Sequence, residues 1–252
     1  MALIFLIKGD SMRHKLLSLI VPFTLMLGLM AIPAKAGEGE WGFAVGLKGI
    51  SGDLDTSGSE LEGFGVSTQN IPEVNKASVS KSVEIGAIFA EFAGRDGVLG
   101  FTAGAEYIPG SATLGTTART DTDLSGGSEG GASATYTAKA EVEQVLTLYV
   151  EPTLYFGDIG LYAKGGVTTL DLNTLETISG GINSSTYPNK TMVGGVLGAG
   201  IRYTHASGFL VKLEHTETNF KPYDETSTTG NKNRIKAELD FTSTSIAIGW
   251  QF

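Results

Sequence analysis

From Gly37 onward the apolar residues recur at every second position, the signature of strands whose two faces meet different surroundings. Trp41, Phe43, Val45 and Leu47 alternate with Gly42, Ala44, Gly46 and Lys48. Val83, Ile85, Ala87 and Phe89 alternate with Glu84, Gly86 and Ile88, which leaves Glu91 on the apolar side. Leu99 to Tyr107 alternates with Gly100, Thr102, Gly104 and Glu106. The longest run sets Val142, Leu146, Leu148, Val150, Leu154 and Phe156 against Glu141, Glu143, Thr147, Tyr149, Glu151, Thr153 and Tyr155. Four further segments follow the same rule, with Lys164, Arg202, Lys212 and Glu214 on their polar sides. The last of them ends on Ile246, Ile248, Trp250 and Phe252.

Eight such segments predict an all-β chain closed into an eight-stranded antiparallel up-and-down barrel. The connections alternate in length. Gly94–Gly97, Gly157–Gly160 and Ala206–Gly208 are tight turns with glycine where positive φ is needed. A two-residue turn at Asp158-Ile159 pairs Phe156 with Leu161 and keeps the two faces consistent. Four long polar connections, about Ser51–Ser78, Pro109–Ser133, Asn173–Asn189 and Asn219–Lys232, lie on the opposite rim. Short turns at one end and long loops at the other are the plan of an outer-membrane barrel.

Alternation alone does not say which face sees lipid, because a soluble barrel is the same pattern turned inside out. Residue size and charge decide it. The polar side holds Lys48, Glu106, Glu151, Lys164, Arg202, Lys212 and Glu214 among many glycines, and the other side holds the bulky residues. Trp41, Phe43, Phe101, Phe156, Tyr203, Phe209, Trp250 and Phe252 all fall near a short turn or a chain end, as an interfacial aromatic girdle does. The seven charges are expected inside the bore as an ion-pair network. Glu151, Lys164, Arg202, Lys212 and Glu214 form one layer, with Glu84, Glu106 or water balancing the excess positive charge.

Composition narrows the reading further. The net charge is −9, although residues 1–36 are basic, so the acidity lies in the remainder and a nucleic-acid partner is excluded. The absence of Cys removes disulfides, Cys-ligated zinc and a thiol nucleophile. Met12-Arg13-His14-Lys15, the uncharged stretch Leu16–Ile32 and Ala34-Lys35-Ala36 read as a secretory signal peptide over 1–36, its natural start at Met12, before a barrel domain over 37–252.

The stretch Phe241–Phe252 resembles the terminal signal of outer-membrane barrels. That resemblance makes Ile246, Ile248, Trp250 and Phe252 an assembly signal read by the barrel-assembly machinery. Glu151–Phe156 and Gly194–Tyr203 are similar to small opacity-protein-like outer-membrane β-barrel chains. The resemblance covers Gly37–Phe252 and implies a location in the outer membrane of a Gram-negative cell, in contact with its lipid and lipopolysaccharide.

Little in the chain points to chemistry. His205-Ala206-Ser207 has the spacing of the His-x-Ser pair in one family of barrel lipid A hydrolases, but the tight turn puts it on the periplasmic rim, away from the lipid A leaflet. His215 is expected at the outer interface. Asp53, Asp55, Glu60 and Glu62 lack the spacing of a calcium loop. No cofactor, metal or enzymatic activity is therefore expected. The leading reading is a monomeric surface-interaction protein whose outer loops, acidic through Asp53, Asp55, Glu60, Glu62, Glu73, Asp121, Asp123 and Glu129, meet an extracellular ligand. The alternative is a narrow porin-like channel or a transporter of small hydrophobic solutes, recognisable by an unfilled constriction or a gap in the strand wall. A lipid-modifying enzyme ranks third.

Overall fold

A computed structural model describes residues 41–62, 73–121, 134–179, 186–228 and 233–252. The signal-peptide assignment, and Asp123 and Glu129, lie outside the described residues. The strands are β1 (Gly42–Glu62), β2 (Glu73–Asp96), β3 (Leu99–Asp121), β4 (Ala134–Phe156), β5 (Ile159–Ser179), β6 (Lys190–Thr204), β7 (Phe209–Phe220), β8 (Tyr223–Thr226) and β9 (Arg234–Gln251). Each of β1 to β7 pairs antiparallel with the next, β7 pairs with β9, and β9 closes onto β1. The short β8 pairs with β9 beyond the end of β7 and continues that stave past Lys221-Pro222. The result is a closed barrel of eight staves.

The three short turns share one rim. They are Gly97-Val98, Gly157-Asp158 and Ala206-Ser207-Gly208, with Gly97, Gly157 and Gly208 at φ 59°, 65° and 97°. Two of them correct the sequence reading. Phe156 pairs with Ile159 rather than Leu161, a shift of two residues that leaves the faces unchanged. The two-residue turn at Gly97-Val98 reverses β2 altogether: it sets Glu91 opposite Gly104 and Phe89 opposite Glu106. Ala87, Phe89, Glu91 and Ala93 therefore point into the bore, while Ile88, Ala90 and Phe92 point outward. Glu84, a candidate lumen charge, is on the exposed face.

The strands are also longer than expected. A tilted strand crosses the hydrocarbon in about 10 residues, yet β1 to β4 run for 21 to 24. Much of what reads as loop is a continuation of the barrel beyond the membrane. In β4 this continuation starts at Gln144, whose φ of 52° marks a bulge between Glu143 and Leu146. The extra residue flips the alternation, so Val142 points inward against its expected side.

One junction fails to continue. The β2–β3 ladder ends at Ile88 and Tyr107, although both strands run on, to Glu73 and Asp121. The cause is local: Pro109 lacks an N–H, and Gly110 takes φ 99° at a register break in β3. Among the described residues no ladder pair joins the two strands beyond this point, and Lys81 Nζ reaches across to the Thr113 carbonyl at 2.6 Å.

Candidate functional site: the barrel interior

The outside of the barrel is apolar. Leu146, Leu148, Val150, Leu154 and Phe156 on β4, and Val193, Leu197, Ile201 and Tyr203 on β6, are exposed, Leu197 to 71%. The aromatic rim includes Phe92, whose ring stacks on Trp41 at 5.5 Å and lies 5.0 Å from Phe43. Above the belt the outward positions become charged, with Asp53, Asp55, Glu84, Glu217, Glu238 and Asp240 exposed alongside Lys76, Arg234 and Lys236.

Inside, charges are gathered into two adjacent four-membered clusters. The lower one joins β2, β4, β6 and β7. Lys212 Nζ holds Glu91 and both oxygens of Glu151, the latter at 2.8 Å. Arg202 lies 3.6 Å from Glu91 and 4.0 Å from Glu151, and donates to Thr102 Oγ1 at 2.5 Å. The upper cluster joins β1, β3, β5 and β7. Lys48 contacts Glu106 and Glu214 at 2.6 Å each, and Lys164 contacts the same two at 3.6 and 3.0 Å. Each cluster is neutral, two cations against two carboxylates. A buried ion needs this, because an uncompensated charge in a low-dielectric bore costs several kcal/mol.

Two tyrosines tie the clusters together. Tyr149 donates to Glu91 at 2.8 Å while Lys164 Nζ sits 3.9 Å from its ring centre. Tyr162 donates to Glu214 at 3.1 Å with Lys212 Nζ 4.9 Å from its ring. Glycines make room for these rings. A Cβ on Gly104 would fall 2.6 Å from the Tyr149 ring, and one on Gly46 would fall 2.3 Å from the ring of Phe89.

All seven sequence-predicted lumen charges lie in the bore, but in two layers rather than one. The carboxylate that the sequence reading missed is Glu91, 2% exposed. With Glu106 it completes the charge balance, and Glu84, on the exposed face, takes no part in it. The signal that could have found it was the register of a two-residue turn at Gly97-Val98, which forces Glu91 onto the face of Gly104.

Above the ions comes a belt of hydroxyls, with Thr147 bonded to Thr168 and Thr216 to Ser243, both at 2.9 Å. Higher still, within the part of the barrel beyond the membrane, Leu54, Leu114, Val142, Leu170, Met192 and Phe220 pack with Leu172, Tyr223 and Leu239 into an apolar cap. Tyr223 donates to the Pro188 carbonyl at 2.7 Å. Burial, assisted by Glu225, pushes its hydroxyl up to about 12. Its contribution to stability is therefore complete below the unfolded tyrosine value of about 10 and falls as pH climbs from there through about 12. The urea midpoint of unfolding is expected to fall across that alkaline window, and Tyr223→Phe to remove that part of the pH dependence.

The candidate histidines lie elsewhere. His205 accepts the Ser207 N–H at 3.1 Å with the Ser207 Oγ at 2.8 Å, a contact within the short turn. His215 is exposed on the outward face and pairs with Thr244 at 3.0 Å. Ile246 and Ile248 of the C-terminal strand face outward, with Trp250 packed against Phe209.

An apolar exterior around a charged interior defines a membrane-spanning barrel of the outer-membrane type. No protein-family model matches the sequence, and no curated protein matches it. Among solved structures, the chain is similar to the attachment invasion locus protein Ail of Yersinia pestis in complex with the heparin analogue sucrose octasulfate (9% identity, 83% of this chain and 99% of that one, TM-score 0.36). It is also similar to the outer membrane protease OmpT of Escherichia coli (11%, 84% and 97%, 0.44) and to the outer membrane protein OprG of Pseudomonas aeruginosa (14%, 86% and 98%, 0.40).

Proposed function

We propose that this chain is a surface-interaction barrel of the bacterial outer membrane: a plugged membrane anchor that raises a β-sheet rim above the bilayer to meet extracellular partners. The observation that carries this reading is the filled bore, which stays filled beside the break in the strand wall: the apolar cap, Leu114 among it, packs the interior where the β2–β3 ladder has ended. Eight strands leave an interior just wide enough for side chains, and here those side chains form two neutral ion clusters beneath an apolar cap. A permeating ion would have to separate pairs that are worth little in water but are strongly coupled when buried.

The rim supports the second half of the reading. Its outward face carries carboxylates on four neighbouring staves, set against Lys76, Arg234 and Lys236, and Asp55 and Asp240 stand directly opposite each other. Like charges in that position disfavour the bare sheet and favour a cationic partner. Assembly through Ile246, Ile248, Trp250 and Phe252, and contact with lipopolysaccharide, belong to the same proposal.

Two measurements test it. Planar-bilayer recordings of the purified barrel are expected to show no stable single-channel current; large steady currents lost on changing Arg202 or Lys212 would establish a pore instead. Proteoliposomes carrying the barrel are expected to adhere to cell surfaces and to lose adhesion when Asp53, Asp55 and Asp240 are replaced by lysine. Unchanged adhesion would defeat the surface role.

A further inference from the structure

The break between β2 and β3 leaves two strand edges facing each other at the outer surface of the membrane. On β2 the stretch Val79–Ala87 pairs with β1 on one side only, and on β3 the stretch from Ser111 onward pairs with β4 on one side only. Each edge therefore presents backbone donors and acceptors toward the gap. The edges still run alongside each other: Lys81 faces Thr113, next to the position an unbroken ladder would have given it. Direct strand pairing at about 4.8 Å needs no bridging side chain. Here a lysine side chain laid from one strand to a carbonyl of the other stands where the ladder bonds would be.

The side chains around the slot are sorted by face. On the interior side fall Val79, Val83 and Ile85 from β2, with the exposed Lys81 among them, and Ala112 and Leu114 from β3. Toward the outside, β2 presents Ser82 and Glu84, with Asp53 bonded to Ser82 at 2.6 Å. This chemistry matches one kind of occupant, an extended strand with apolar residues at alternate positions facing in and polar or cationic residues facing out. Such a strand would satisfy both backbone edges, cover the half-buried valines and set its positive charges beside Glu84 and Asp53.

We propose that the β2–β3 slot receives one extended peptide strand of a partner polypeptide, with Lys81 acting as the strap that spans the slot until the partner displaces it. The proposal deepens the surface-interaction reading by naming the mode of recognition, and it rests on that reading for its biological setting. Insertion extends the sheet across the break, so the whole outer rim becomes a continuous ladder.

The test uses the purified full barrel in detergent micelles and a labelled peptide of alternating valine and lysine, as long as Val79–Ala87. In the free protein, amides within Val79–Ala87 are expected to alternate between slow and fast exchange, because only those directed at β1 are bonded. The peptide is expected to bind saturably and to slow the fast set together with amides of β3 beyond Ser111. The same peptide N-methylated at every second residue keeps its side chains but loses half its donors, and is expected to bind at least about tenfold more weakly. Lys81→Ala, which removes the strap, is expected to tighten binding. Equal binding of the methylated peptide, unchanged exchange at the two edges, or loss of binding in Lys81→Ala overturns the proposal. Peptide insertion without any adhesion by proteoliposomes would leave the slot standing and defeat the surface role; adhesion without insertion would do the reverse.

Discussion

Replacing Lys212 with methionine is expected to destabilise the barrel by about 3–5 kcal/mol, the range for removing one partner from a buried ionic group. Lys212 is the hub of the lower cluster: it holds Glu91 and Glu151 at once, while Arg202 stands farther from both. Without it, two carboxylates share one distant guanidinium in a bore closed above by the apolar cap and surrounded by lipid. The measurement is urea unfolding of the barrel in lipid vesicles, read by the loss of heat-modifiable gel migration. The double variant Lys212→Met with Glu91→Gln restores neutrality, leaving Arg202 with Glu151, and is expected to regain part of the loss. If the double variant were less stable than Lys212→Met by the full effect of Glu91→Gln alone, the two residues would not be coupled, and the cluster would not be held by charge balance.

The second large effect concerns the other face. Leu197 lies midway along the apolar stretch Val193–Tyr203 of β6, with its side chain 71% exposed. Leu197→Arg is expected to cost about 2–4 kcal/mol in the same vesicle assay, the penalty for a cation at mid-depth on the lipid face of a barrel. Leu197→Phe is expected to change stability little, because lipid tails accept either shape. On a water-facing surface the ranking would reverse, arginine being harmless and phenylalanine the liability. The pair of substitutions thus reads the orientation of the whole barrel from one position.

The two sites differ in how legible they are. Leu197 is on the lipid face because its own segment alternates without interruption from Val193 to Tyr203. The lower cluster is harder to see, because its fourth member depends on a turn. Val83, Ile85, Ala87 and Phe89 alternate as cleanly as any other run, and on residue type alone they pass for a lipid-facing row. Their true side follows from pairing with β3, where Phe89 opposes Glu106 and fills the space above Gly46. An aromatic ring inside the bore is acceptable only because a glycine on the next strand leaves room for it, a fact that resides in two segments far apart in sequence.

Period-two alternation, glycine at the tight turns and the sorting of bulky from charged residues determined from sequence alone that the chain has eight staves, short turns on one rim and charges in the bore. These are properties of single segments, set by the pleat of an extended chain and by the cost of placing ions in lipid. Only the tertiary structure decided the rest. The side on which Glu91 falls, the division of the charges into two neutral clusters, the flip at Gln144, the continuation of the strands beyond the bilayer and the break between β2 and β3 all depend on register. Register is a relation between strands, and a shift of one residue exchanges inside for outside along an entire stave without altering its pattern.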